Sequence, residues 1–167
     1  MTAIVDTIDA LNQNIARAIR WLALAMVLVT VTIVVLRYVF EIGAIPLQES
    51  VMYMHGILFL LGIPYGVNKN THVRVDILYA RLSAQRQTLV NLVGHLIFLL
   101  PIAVFILITS WPYTLASWRV LEGSSEVGGL PAIFLLKTLI PITAILLGLQ
   151  ALSEALKSVI MLRNRQA

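Results

Sequence analysis

Four long apolar runs, joined by connections of at most about twenty residues, constrain this chain more than anything else in its sequence. The first covers residues 21–36, with nothing more polar than Thr30 and Thr32. Extended through Arg37 to Phe40 it makes about 30 Å of helix, enough to cross the hydrocarbon of a bilayer. Arg37 lies near its end and can snorkel to the headgroups. The second run, 46–67, opens on Pro46 at the first helical turn and contains Pro64. The third, 90–111, carries Asn91, His95 and Pro101, and the fourth, 130–152, follows Pro131 and is expected to kink near Pro141. Prolines inside such helices are tolerable because neighbouring helices satisfy the freed carbonyls.

Composition agrees. With 59% hydrophobic and 12% charged residues and a mean hydropathy of +0.91, a water-soluble domain and a disordered chain are both excluded. There is no cysteine, hence no disulfide and no thiol nucleophile. The net charge of +4 is explained by basic loops beside membrane spans rather than by nucleic acid. Nine basic residues (Arg17, Arg20, Lys69, Arg74, Arg81, Arg86, Lys157, Arg163 and Arg165) fall on one side of the four runs. Arg37 and Arg119 fall on the other, with Glu41, Glu49, Glu122 and Glu126. The positive-inside rule then puts both termini in the cytoplasm.

The expected fold is an all-α integral membrane protein of four transmembrane helices, N-in/C-in, preceded by a short amphipathic interfacial helix. Ile4, Ile8, Leu11, Ile15 and Ile19 recur at spacings of three and four, so residues 1–18 read as a helix lying on the membrane surface. Asp6 and Asp9 stand where a secretory signal would be basic, and no cleavable signal is expected. The chain divides into spans at 19–40, 46–67, 90–111 and 130–154. A cytoplasmic loop occupies 68–88, a periplasmic loop 112–129 and a cytoplasmic tail 155–167. The outer loop holds a Gly- and Ser-rich stretch, 122–129, that suits a flexible turn.

The sequence offers no catalytic constellation. Its three histidines, His55, His72 and His95, have no metal-ligand spacing, so no enzyme, metal site or cofactor is expected. His55 and His95 read as interhelical hydrogen-bonding groups in a packed bundle. Lys137 reads as a lysine snorkelling outward, and Glu154 as a solvated helix end near Lys157. Glu49, in the first turn of the second span, suits a helix start or a partner for Arg37 across the short hairpin. Gly62 and Gly66 form a Gly-x-x-x-Gly, and Ala144 and Gly148 a second pair of small residues, each permitting close helix approach. No span carries a central acidic residue that could bind a substrate or ion, so the chain reads as part of a larger assembly.

Three stretches carry a resemblance: Leu47-Gln-Glu-Ser-Val-Met-Tyr53, Gly62-Ile-Pro-Tyr-Gly-Val67 and Thr71-His-Val-Arg-Val-Asp-Ile77. With Gly128-Gly-Leu-Pro131 before the fourth span, and Pro141 and Gln150 within it, they make the chain resemble the small, DctQ-like membrane subunit of tripartite ATP-independent periplasmic (TRAP) transporters. The family often has two acidic residues opening the second span. Here the first is Gln48, which leaves Glu49 alone.

The resemblance implies a scaffold subunit of a secondary, sodium-coupled importer of organic acids in the bacterial inner membrane. A large elevator-type subunit would carry the substrate and ion sites, and a periplasmic binding protein would deliver the solute. Arg37, Glu49, Gly62 and Gly66 are then candidates for the subunit interface or for lipid headgroups. His72, Arg74 and Asp76 are the family's loop signature, and Glu122 and Glu126 are candidates for docking the binding protein. The competing reading is a small homodimeric four-helix cation or multidrug antiporter. It lacks the embedded carboxylate in the first span that such chemistry requires.

Overall fold

The computed structural model describes residues 2–70, 79 and 82–164. Among them every regular element is helical: α1 (Thr2–Ile19), α2 (Trp21–Val39), α3 (Ile45–Asn68), α4 (Ala84–Val93), a π-helical segment (Gly94–Leu99), α5 (Leu100–Arg119) and α6 (Ile133–Asn164). Helix α4, the π segment and α5 run on as one rod, so four rods are long and apolar enough to cross a membrane. Two of them overrun the expected spans. The rod Ala84–Arg119 begins inside the stretch expected as a loop, and α6 continues to Asn164. The α6 helix starts at Ile133, two residues after Pro131.

Local chemistry accounts for the helix ends and irregularities. Ser83 caps α4, its hydroxyl accepting from the Arg86 N–H. Pro46 sits in the first turn of α3, where its missing N–H costs nothing. Pro101 cannot donate to the carbonyl four residues back and its ring crowds that turn. The turn before it widens into the π segment, in which the Leu100 N–H reaches the His95 carbonyl instead.

The four rods stand in a row, not in a closed bundle. Neighbours run α2, α3, α6, α5: α3 packs on α2 and α6, α6 packs on α3 and α5, and no extensive contact joins α2 to α5 or α6. Two ends can be distinguished, a basal end where α1 meets α6 and a distal end carrying the 120–132 connection. Helix α1 leaves α2 at Arg20 and passes across the base of α3 to reach α6. The α6 helix is the hub, and most of what it buries is small or polar (Thr143, Ala144, Gln150, Ala151, Ser153, Ala155), with Leu146 and Leu147 among them. Where lipid is as apolar as leucine, close approach of backbones and polar contacts hold helices together. Gly148 faces Ala103, with room for a Cβ at 3.8 Å, beside a core of Val67, Ala103 and Leu147. Gly56 lies so near α6 that a Cβ there would stand 2.8 Å from Leu136 Cδ1. By contrast α2 buries no residue at all.

Candidate functional site

Three places concentrate polar groups or uncovered surface. The first is a latch at the distal end. Glu49 projects from the first turns of α3, and its Oε2 accepts the Leu130 N–H at 2.5 Å while its Oε1 accepts the Ser124 hydroxyl. Ser124 Oγ also accepts the Glu126 N–H at 3.0 Å, and the Ser124 N–H donates to the Leu130 carbonyl at 3.1 Å. Gly128 supplies the positive φ of 78° that turns the loop back. Gly129 is required for space: a Cβ there would lie 2.5 Å from Ser124 Cβ and 2.7 Å from Glu49 Oε1. The stretch expected as a flexible turn is therefore pinned, because one carboxylate satisfies two of its donors.

A second strap runs beside it. Lys137 Nζ lies 2.6 Å from Glu122 Oε2 and 4.2 Å from the centre of the Tyr113 ring. The hydrogen bond from Lys137, with its charge, holds the Glu122 carboxyl below the usual carboxylate range. Glu122 also closes the loop through its backbone, donating to the Ser117 carbonyl and accepting the Phe134 N–H. Trp118 completes the rim, with Nε1 donating to Thr138 Oγ1 at 2.8 Å and its ring edge-on to Phe134.

The second place is a clamp at the basal end. Asp9 Oδ1 accepts Ser153 Oγ at 2.8 Å and Gln150 Nε2 at 3.0 Å, and Asp9 Oδ2 lies 2.6 Å from Lys157 Nζ. Lys157 also reaches Glu154 at 2.6 Å, and Gln150 Oε1 accepts from Asn12 Nδ2 at 2.7 Å. Gln150 and Ser153 are fully buried and Asn12 is 2% exposed. Polar residues of α1 thus seat that helix on α6, while Ile4 and Leu11 of its apolar pattern stay exposed. Glu154 is not a solvated helix end, since it is held between Gln150 and Lys157. This cluster has no local signature. Its halves lie about 140 residues apart in the chain, and only Gln150 and Ser153, two polar groups amid the apolar pattern, hint at it.

The third is the open face of α3. Gln48, Met52, His55 and Phe59 are exposed at spacings of four, three and four, with the His55 ring stacked on Phe59 at 6.2 Å. Gly62 continues the stripe with nothing within 4 Å of a would-be Cβ. Among the described residues His55 has no interhelical hydrogen bond, since this side of α3 is uncovered.

The residues singled out from sequence are thus dispersed. Arg37 is exposed near the end of α2 and, among the described residues, has no ion-pair partner, so the pairing with Glu49 is not formed. Glu122 is engaged by Lys137, whereas Glu126 is exposed. Gly62 and Gly66 lie one turn apart on α3. His72, Arg74 and Asp76 lie outside the described residues. Among the described residues no group of three or more His, Asp or Glu is placed to hold a metal ion.

Comparison with known proteins adds a lineage to this geometry. Residues 26–160 match the family described as tripartite ATP-independent periplasmic transporters, DctQ component. The C4-dicarboxylate TRAP transporter small permease protein DctQ of Vibrio cholerae serotype O1 (strain ATCC 39315 / El Tor Inaba N16961) is 32% identical over 89 residues. That stretch is 53% of this chain and 38% of the relative, so the similarity spans well under half of the relative's length. No solved structure matches.

Proposed function

Because this chain belongs to the DctQ family of TRAP transporter small permease components, we propose that it is the static scaffold subunit of an ion-gradient-driven importer of organic acids. It widens the fixed part of a large elevator-type membrane subunit and carries no substrate site itself. The multi-pass membrane character follows from the four apolar rods and the family. The proposed setting is the bacterial inner membrane with the basal end cytoplasmic, as the excess of lysine and arginine there favours. Sodium is the proposed coupling ion and a periplasmic protein the proposed source of solute, with the distal loop around Glu126 facing it. A transport rather than an enzymatic role accords with the family.

The observation that carries this reading is the uncovered stripe on α3. His55 lies ten residues into that helix, about 15 Å from its start and so near mid-bilayer. A polar ring facing lipid at that depth is costly, and such groups normally face protein or water. Gly62, open on the same stripe, admits a helix at short distance. An open row with polar groups and an unfilled glycine on one face fits a subunit completed by a larger partner.

The test is to recover a tagged chain from its native membrane in mild detergent, with single cysteines placed at Met52 or Phe59 for crosslinking. The chain has no cysteine of its own, so any crosslink reports the engineered site. A much larger multi-span protein at one to one, crosslinked through α3, supports the scaffold. A homodimer with no larger partner overturns it.

A further inference from the structure

At the basal end, where α1 crosses the end of α3, lies a cleft of about 210 Å³ lined by Gln13, Ala16 and Arg17 of α1, Arg20 at the junction of α1 and α2, and Tyr65 and Lys69 at the end of α3. Three of its six lining residues are cations and none is acidic. Among the described residues, ion pairs are made by Lys137 and Lys157, not by Arg17, Arg20 or Lys69. Two of the cations are instead braced on aromatic rings: the Arg20 guanidinium lies 5.2 Å from the Trp21 ring centre and Lys69 Nζ lies 5.8 Å from that of Tyr65. Trp21 is exposed, and Trp and Tyr at helix ends mark the headgroup level of a bilayer.

A second hollow lies on the adjoining seam, between α2 and α3. It is an apolar groove of about 350 Å³ between α2 (Ala23, Val27, Val31) and Leu58 of α3. Leu58 and Tyr65 are seven residues apart, so they share one stripe of α3 about 10 Å apart along the helix. Arg20 and Val27 keep the same seven-residue spacing on the other wall. The two hollows share no lining residue, but together they present cations at headgroup level and, about two helical turns further along α3, an apolar groove facing the hydrocarbon.

We propose that the basal cleft and the adjoining groove together bind an anionic phospholipid, with the phosphate among Arg17, Arg20 and Lys69 and one acyl chain along the α2–α3 groove. Basic pockets between transmembrane helices recognise anionic headgroups in this way. The site does not depend on the subunit role or on which side of the membrane the basal end faces. The aligned groove separates it from a site for soluble phosphate or an acidic peptide, neither of which has an apolar tail to place there.

The full-length chain, purified in a non-ionic detergent, is titrated by native mass spectrometry with phosphatidylglycerol and with phosphatidylcholine. Phosphatidylglycerol is expected to bind the tighter. Arg20→Gln and Lys69→Gln, on separate helices, are each expected to weaken it about fivefold, since a cation near a membrane surface contributes about that factor. Arg119→Gln, an exposed cation at the distal end, should leave binding unchanged. Ala23→Phe, which fills the groove without altering charge, should also weaken it. Millimolar inorganic phosphate should not compete. Equal binding of the two lipids, full competition by inorganic phosphate, or insensitivity to both Lys69→Gln and Ala23→Phe would overturn the proposal.

Discussion

Replacing Glu49 with alanine removes both acceptors that hold the distal loop to α3, the one for the Leu130 N–H at 2.5 Å and the one for the Ser124 hydroxyl. Hydrogen bonds to an ionised acceptor contribute about 1.5–3 kcal/mol each, and the half-buried setting argues for the lower end. The expected cost is about 3 kcal/mol for the pair. Glu49→Gln separates geometry from charge. Its carbonyl can still accept the Leu130 N–H and its amide can donate to the Ser124 hydroxyl, which accepts as well as donates. Only the charge assistance is lost, roughly half of the strength, so the expected cost is about 1.5 kcal/mol. Stability is read by unfolding in mixed micelles with increasing dodecyl sulfate, followed by tryptophan fluorescence. The local effect is read by amide hydrogen exchange at Leu130, which should accelerate in Glu49→Ala and less in Glu49→Gln. An alanine variant as stable as the parent, with unchanged exchange at Leu130, would refute the latch. Equal losses for alanine and glutamine would mean that charge, not the hydrogen-bond pair, holds the loop.

Three further outcomes follow from the same geometry. Gly129→Ala should break the latch by crowding Ser124 and Glu49, and the double variant with Glu49→Ala should be little worse than either alone in the same unfolding assay, because both remove one device. Lys157→Ala leaves the Asp9 and Glu154 carboxylates facing each other without their shared cation. With the discount due to partly exposed ion pairs it should cost about 1–2 kcal/mol, and limited proteolysis should cut α1 faster. The Glu122 carboxyl titrates below its ordinary value in the folded chain because Lys137 binds its charged form. The stability it adds is fully present above the unfolded carboxyl's value of 4.5, and it is lost as pH falls through the lower, folded value. A cysteine at Ser125 should accordingly be modified faster by an acid-tolerant disulfide reagent at pH 3 than at pH 7. That difference should shrink in Glu122→Gln.

The amino-acid sequence by itself determined the number of membrane-crossing helices and the amphipathic lead-in, because apolar periodicity and length are local quantities that water and lipid enforce without reference to a partner strand or helix. The family was legible for the same reason: its motifs are short, ordered along one chain, and tied to helix starts and turns. What lay beyond reach were pairings between residues far apart. Nothing near Asp9 in the chain announces Ser153 or Lys157, and the apolar stripe of α1 suggested a membrane face where polar residues do the docking. Glu49 is recognisable as a helix-start carboxylate, and Arg37 is the nearest cation in sequence that could pair with it, but its actual partners lie on a loop that folds back from 75 residues away. The order of helices in the row was likewise invisible, since spans of similar composition can neighbour one another in any sequence. Only the tertiary structure decided it, through the small residues on α6 that let α3 and α5 approach from two sides. That arrangement leaves α2 and one face of α3 uncovered.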